Sequence, residues 1–473
     1  MSECLLSVGL DVGTTSTQMV FSRLCIENKA GSFAVPEMDI KNREILYKSP
    51  VHFTPLLEGD LVDADTLRTI VDTEYAAAGI TKEEVDTGAI IITGETSRKE
   101  NARAVLESLA GYAGEFVVAT AGPDLESILA AKGAGATEYS ERTGKTVLHM
   151  DIGGGTSNLA LIEDGKIVAT SCLNVGGRLL KIDRDGVLTY VSPVLEGIFE
   201  KRTGEVVNRE EVYVLCEKLT SALEAAAGLR EEDGLTEKLL TKGTVIANQS
   251  ADWCGNLRDY AEYCGGLPRR ASAPRNDTNL VISFSGGVAD CIDSEKPWLA
   301  YGDMGPELGM AIRKSRLCRG EYILGKETIR ATVIGAGCHS TQLSGSTVYH
   351  QNVEFPLKNI PAVRIADLSQ LQEKLALQEG PVVLSLEGIR SPGYRQIRDM
   401  AQELAGRMPA PVFLCLEQDM AKALGQALAV RLPPDAAVLC IDRIRVEEGS
   451  FLDIGAPVGG ALPVVVKTLV LSK

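Results

Sequence analysis

The chain has 473 residues, 45% hydrophobic and 24% charged, a length that allows about three domains at roughly 150 residues each and excludes a small cross-linked scaffold. Acidic residues outnumber basic ones 64 to 48, a net charge of −16, which repels nucleic acid and anionic membranes because no basic patch relieves it. No stretch approaches the roughly 20 apolar residues of a membrane helix, so the expected ligands are small molecules, metal-bound nucleotides and proteins.

Leu6 to Phe21 reads LSVGLDVGTTSTQMVF: an apolar strand, a Gly/Thr turn and a second strand, the pattern of a hairpin. Asp63 to Gly79 places Leu67, Ile70, Val71, Tyr75 and Ala78 on one face and ends on glycine, which predicts an amphipathic helix. Ala89–Thr93 is a buried strand, Ser97–Ala110 carries Ala102, Val105, Leu106 and Leu109 as a helical stripe, and Phe116–Ala119 is a further strand. Leu148 to Leu161, LHMDIGGGTSNLAL, then echoes the opening hairpin, with Asp151 falling on Asp11, Gly153 on Gly13, Thr156 on Ser16 and Leu159 on Met19. The echo predicts two related α/β halves facing one another. Glu163-Asp164-Gly165 turns the chain into a strand at Lys166–Thr170. A helix over Arg209–Ala227 faces inward with Val212, Leu215, Leu219 and Leu223, and Val281–Phe284 is a strand running into Ser285-Gly286-Gly287. Trp253–Thr278 reads as a loop whose arginines face solvent or a partner rather than nucleic acid. Near the C-terminus, strands at Pro381–Leu386, Pro411–Leu416 and Ala437–Ile441 alternate with helices at Tyr394–Ala405 and Asp419–Ala429, a βαβαβ unit. The expected domains are therefore 1–144, 145–325 and 326–473.

Eleven cysteines show no CxxC spacing and only four histidines accompany them, so no zinc cluster is expected. Their odd number, and a start (MSECLLSVGLD) without a basic leader region, predict mostly reduced, buried thiols and a cytoplasmic protein.

Three segments carry candidate chemistry. In Asp11-Val12-Gly13-Thr14-Thr15-Ser16 a carboxylate ends a strand, and small residues let backbone N–H groups and hydroxyls approach a phosphate. Asp151-Ile152-Gly153-Gly154-Gly155-Thr156-Ser157 repeats this arrangement. A single Gly-rich turn fits a structural hairpin equally well; two matched turns, each led by aspartate, favour phosphate. Two facing aspartates need a countercharge before phosphate can approach, which implies Mg²⁺ held largely through water by Asp11 and Asp151, and hence a Mg-nucleotide. The third segment, Ile282 to Asp290, ends a strand at Gly286-Gly287, where a base or ribose could lie against the backbone. Glu95 follows the AIIIT strand at its carboxyl end, where α/β ligand crevices open; it either positions an attacking water or caps the next helix. The segment Gly335-Ala336-Gly337-Cys338-His339-Ser340-Thr341 is open between a phosphate or adenine contact, a cobalt ligand at His339, and a tight structural turn or partner surface.

GLDVGTTST, MDIGGGTSN and ISFSGGVAD, in this order, resemble the phosphate-1, phosphate-2 and adenosine motifs of the actin, hexokinase and heat-shock chaperone ATPase superfamily, and Asp303–Ile312 is similar to its second connecting helix. The resemblance implies two actin-like (ribonuclease H-like) halves around a nucleotide cleft plus a C-terminal α/β domain. It also implies ATP and Mg²⁺ as ligands, with Asp11, Gly13, Thr14, Thr15, Ser16, Gly153, Gly154, Gly155, Thr156, Ser157, Gly286 and Gly287 around the nucleotide and Asp151 and Glu95 as catalytic groups. A narrower resemblance covers nearly the whole chain: TGETSRKENA from Thr93, AGPDLES from Ala121, VIGAGCHST from Val333, SGST from Ser344 and PVVVKTL from Pro463 are similar to the ethanolamine ammonia-lyase reactivating proteins. That family implies an ATP-dependent, chaperone-like factor of bacterial ethanolamine utilisation, with the adenosylcobalamin-dependent lyase and ATP/ADP as partners and association with a bacterial microcompartment as an added expectation. Rival functions on the same scaffold are a small-molecule kinase and an actin-like polymerising scaffold.

Overall fold

The computed structural model describes residues 3–13, 16–28, 38–57, 61–93, 101, 105, 109, 118–120, 123–231, 233–241, 280–339, 341–344, 347–376, 380–444, 446, 450–458 and 461–468. The opening echo extends to an entire sheet. In the first lobe, strands β1 (Glu3–Val12), β2 (Ser16–Asn28), β3 (Met38–Lys48), β4 (His52–Phe53), β5 (Thr87–Ile92) and β6 (Val118–Thr120) form a sheet of order β3-β2-β1-β5-β6, with β4 pairing the start of β2. The first three strands are antiparallel, and β5 and β6 run parallel to β1. In the second lobe, β7 (Thr146–Ile152), β8 (Ser157–Glu163), β9 (Lys166–Leu173), β12 (Leu280–Ser285) and β13 (Tyr322–Leu324) repeat that order as β9-β8-β7-β12-β13. Between them lies the small hairpin of β10 (Leu180–Ile182) and β11 (Leu188–Val191). The chain is thus α/β with two lobes of equivalent connectivity, the architecture that the actin-like resemblance implies.

Local chemistry makes these elements. The helix Ala64–Ala78 starts where Asp63 accepts hydrogen bonds from the Asp65 and Thr66 amides and stops at Gly79, whose φ of 68° is left-handed. It buries Leu67, Val71 and Tyr75 in one cluster with Leu10, Phe21 and Ile90 of the sheet, together with Val105 and Leu109. The β8–β9 turn places Asp164 and Gly165 at φ 47° and 75°, the left-handed pair of a two-residue hairpin loop. Asn208 and Glu211 form a reciprocal cap at the start of the helix Arg209–Ala226, which buries Val212, Leu215, Leu219 and Leu223.

Two helices exchange lobes. Pro123–Gly133 packs on the second sheet, whereas Ala331–His339, which follows the second sheet, packs on β1, β2 and β5 of the first. They cross without side chains between them: a Cβ on Gly335 would lie 2.0 Å from the Leu129 carbonyl oxygen, and one on Gly133 would lie 1.9 Å from that of Ala331. This corrects the expected second connecting helix. The helix Gly305–Lys314 instead sits inside the second lobe's core with Leu308 and Ile312 fully buried, because its apolar residues face Arg209–Ala226 of the same lobe.

The third sheet has eight strands in the order β14-β21-β20-β16-β17-β18-β19-β15: β14 (Thr341–Leu343), β15 (Tyr349–Gln351), β16 (Leu357–Arg364), β17 (Val383–Leu386), β18 (Val412–Leu416), β19 (Val438–Asp442), β20 (Ser450–Ile454) and β21 (Pro463–Thr468). Its parallel centre, β16 to β19, contains the expected βαβαβ unit, with helices Tyr394–Arg407 and Ala421–Ala429 as crossovers. It leans on the first lobe, where Val465 joins Ala89 and Ile91, and Thr341 Oγ1 meets Thr87 Oγ1 at 2.9 Å.

The described thiols are mostly free and buried, as expected, with one exception. Cys4 and Cys25 face each other in the β1–β2 register and are disulfide-bonded; seven other described cysteines are free and buried. Among the described residues, no helix is long and apolar enough to cross a membrane.

Candidate functional site

The two Asp-led turns adopt one geometry. In the first, the Gly13 amide donates to the Ser16 carbonyl at 2.9 Å; in the second, the Gly153 amide donates to that of Thr156 at 2.9 Å. The hairpin register then sets Gln18 opposite Asp11 on the same face of β1–β2, and Asn158 opposite Asp151 on β7–β8. Thr14, Thr15 and Glu95 lie outside the described residues.

The aspartates feel each other and their burial. The Asp11 carboxyl is pushed up to about 7, first by burial and then by the charge of Asp151, with the Thr93 hydroxyl, donating at 2.9 Å, opposing this. The carboxylate lies deep between the lobes but remains partly open to water. Asp151 is 6% exposed, and its carboxyl is pushed up to about 6 by burial against hydrogen bonds from Ser285 and Thr332. The Ser285 hydroxyl donates to Oδ1 and that of Thr332 to Oδ2 at 3.4 Å. Behind Ser285 lies fully buried His149, whose ring nitrogens meet Ser283 Oγ at 3.0 Å and Ser285 Oγ at 2.9 Å. Burial pushes the imidazole down to about 3, so it stays neutral.

The third motif joins the second turn. Gly286, at φ 85°, packs so tightly on the end of β7 that a Cβ would lie 2.3 Å from the Ile152 carbonyl oxygen. Gly287 follows beside the Ile329 side chain. The triple-glycine turn is backed by Gly176-Gly177-Arg178: the Gly177 amide donates to the Gly153 carbonyl at 2.9 Å and the Arg178 amide to that of Gly154 at 2.7 Å. Ser157 departs from expectation. It is fully buried and its hydroxyl donates to the Val175 carbonyl at 2.7 Å, so it supports the turn from behind and has no hydroxyl to offer a phosphate.

Most of the GAGCHST segment is helical, and its Ser340 lies outside the described residues. Residues 331–339 are the lobe-crossing helix, and Gly335 and Gly337 serve its close approach to Leu129 and Gly9. His339 ends it near Arg43 and Lys132; burial and these two cations push its imidazole down to about 3, so it stays neutral.

Sequence reasoning gave no site role to Gln18, Asn158, Thr93, Thr332 and Arg178. The first two were recoverable, since the echo that aligns Asp11 with Asp151 also aligns Gln18 with Asn158. Both are buried, and Gln18 Oε1 and Asn158 Oδ1 have no hydrogen-bond partner. Two orphaned amide oxygens beside two carboxylates that resist joint ionisation make a hard-oxygen floor that suits a hydrated divalent cation. Among the described residues no three His, Cys, Asp or Glu side chains converge as a direct cage, so this floor would grip a cation through its water shell.

Residues 3–472 match the family described as ethanolamine utilisation protein EutA. The chain is 38% identical to the ethanolamine ammonia-lyase reactivase EutA of Salmonella typhimurium and 37% identical to that of Escherichia coli, each over 98% of both chains. Among solved structures, EutJ of Carboxydothermus hydrogenoformans, an ethanolamine utilisation protein, is 18% identical over 70% of this chain and 89% of its own, with a TM-score of 0.32. The chain belongs to the EutA family of ethanolamine utilisation proteins.

Proposed function

We propose that the protein is an ATP-dependent reactivating factor for adenosylcobalamin-dependent ethanolamine ammonia-lyase, releasing damaged cobalamin so that intact adenosylcobalamin can bind. The observation that carries the partner is the match along nearly the whole chain to two proteins named as reactivases of that lyase. What supports the nucleotide is the repeated turn, with its paired aspartates and orphaned amide oxygens between two lobes.

In this reading ATP lies between the lobes, its phosphates against the turns at Gly13 and Gly153–Gly155 and its adenosine against Gly286-Gly287. Mg²⁺, where bound, neutralises phosphate charge and lets both carboxylates ionise. Asp11 and Asp151 orient the surrounding water, Gln18 and Asn158 accept hydrogen bonds from it, and Ser285 and Thr332 hold Asp151 still. Glu95 is proposed to position the attacking water. Because the lobes meet through crossed helices without intervening side chains, a change of charge in the cleft alters the angle between them, and that movement acts on the lyase in the cytoplasm.

The test combines cyanocobalamin-inactivated lyase, ATP, Mg²⁺ and adenosylcobalamin, and follows ATP hydrolysis with recovery of lyase activity. Asp11→Ala and Asp151→Ala are expected to lower both by at least about 100-fold, the scale of removing a preorganised charged group. Normal recovery in both variants would overturn the reading.

A further inference from the structure

Arg178 ties three parts of the cleft together. Its backbone amide is bonded to the triple-glycine turn at Gly154. Its side-chain Nε donates to Asp303 Oδ2 at 2.9 Å, and Asp303, nearly buried, also accepts from the Gly305 amide at 2.9 Å. Its guanidinium carbon lies 5.7 Å from the centre of the Phe53 ring. Phe53 belongs to the opposite lobe, on β4, paired with Ser16, the residue that closes the first phosphate turn. One arginine therefore spans both turns and both lobes.

Phe53 makes this arrangement notable because it is 76% exposed, which forgoes most of the roughly 2 kcal/mol that burying such a ring contributes. What its ring does have is a cation over its face. With Nε held by Asp303 and one face on Phe53, the guanidinium keeps its Nη edge, the geometry that recognises two phosphate oxygens at once. The cleft also needs positive charge, since its floor carries two carboxylates and the whole chain is acidic.

We propose that Arg178 binds the terminal phosphate of ATP through its Nη edge while stacked on Phe53, so that the lobes close on a nucleoside triphosphate and not on a diphosphate. The inference rests on the reading of the cleft as an ATP site and names the residue that distinguishes ATP from ADP.

Calorimetric titration of the full chain with Mg-ADP and with a non-hydrolysable Mg-ATP analogue tests it, alongside hydrogen exchange over residues 50–57. The wild type is expected to prefer the analogue by about tenfold or more and to gain protection over 50–57 with the analogue alone. Arg178→Gln is expected to reduce the preference to within about twofold while ADP affinity, the check on folding, stays in place. Arg178→Lys, which keeps charge but loses the planar fork, falls between. Phe53→Ala, a surface change with little risk to folding, is expected to abolish the extra protection. If Arg178→Gln binds ADP normally and still prefers the analogue, the inference falls and the ATP reading stands. Should Arg178→Gln not fold, full analogue-specific protection in Phe53→Ala overturns the inference. If the wild type binds neither nucleotide, the ATP reading falls and the inference with it.

Discussion

The two lobes share a strand order and an Asp-led glycine turn, yet they hold their aspartates differently. Asp151 is locked by Ser285 and Thr332, with His149 bracing Ser285 from behind. Asp11 has Thr93 and is partly open to water. The cause lies two residues upstream, where the echo sets Gly9 against His149. In the first lobe the crossing helix lies directly on β1, and a Cβ at Gly9 would sit 2.4 Å from the Val333 carbonyl oxygen; in the second lobe the equivalent face has room for an imidazole and two serine hydroxyls. A helix packs on each copy, but at the position of Gly9 it comes too close for any side chain, whereas the matching position on β7 holds His149 and its two serines, so the duplicated turn acquires one rigid and one yielding half.

The largest way to break this comparison is at the crossing itself. Gly335→Ala drives a methyl group against the Leu129 backbone, and neither helix can yield without moving a lobe. The expected loss is about 3 kcal/mol, the upper end of overpacking, seen as a lower melting temperature together with weaker ATP-dependent reactivation. Gly320→Ala, where nothing lies within 4 Å of the added methyl, is the control and leaves both unchanged. Equal effects of the two substitutions would contradict the crossing as the constraint.

Much of this architecture was legible. The echo gave away two related lobes because a hairpin and its turn are encoded locally, and the βαβαβ pattern of the C-terminal unit is equally local. What was not legible depends on which surfaces meet. Pro123–Gly133 and Ala331–His339 read as ordinary elements of their own halves, and only tertiary packing exchanges them. The Cys4–Cys25 bond follows from hairpin register rather than from cysteine spacing. At the site, glycines and aspartates were visible because turns and charges have sequence signatures. Ser157 misled because a hydroxyl beside a glycine turn says nothing about which way it is spent. Arg178 carried no motif, since its partners, Asp303 and Phe53, are distant in sequence.

A smaller effect sharpens the rigid half. His149→Leu fills a similar volume but leaves Ser283 and Ser285 without their imidazole partner in a fully buried setting. The expected cost is about 2 kcal/mol, the range for stranding buried hydroxyls. Adding Ser283→Ala to His149→Leu should recover part of that loss, because one stranded hydroxyl disappears; a double variant no more stable than the single one would argue against the network. Thermal unfolding followed by circular dichroism makes the comparison.

The smallest effect separates the two aspartates by pH. A carboxyl whose folded value is raised binds more protons in the folded state than in the unfolded one, so the fold loses stability as pH rises from the ordinary carboxyl value to the raised one. For Asp11 that window runs from 3.8 to about 7, and for Asp151 from 3.8 to about 6. In chelator, without Mg²⁺, stability is expected to fall across this range, with about 1–2 kcal/mol traceable to Asp11 because water reaches its carboxylate. Asp11→Asn cannot ionise and should flatten the curve across its whole window, and between pH 6 and 7 the flattening is its alone, because Asp151 has already titrated there. Asp151→Asn should flatten it below pH 6. Added Mg²⁺ should flatten the wild-type curve throughout and leave Asp11→Asn less affected, since the cation stabilises the ionised pair that this variant no longer has. An Asp11→Asn curve as steep as the wild type between pH 6 and 7 would mean that the open half of the cleft is not the one that yields to charge.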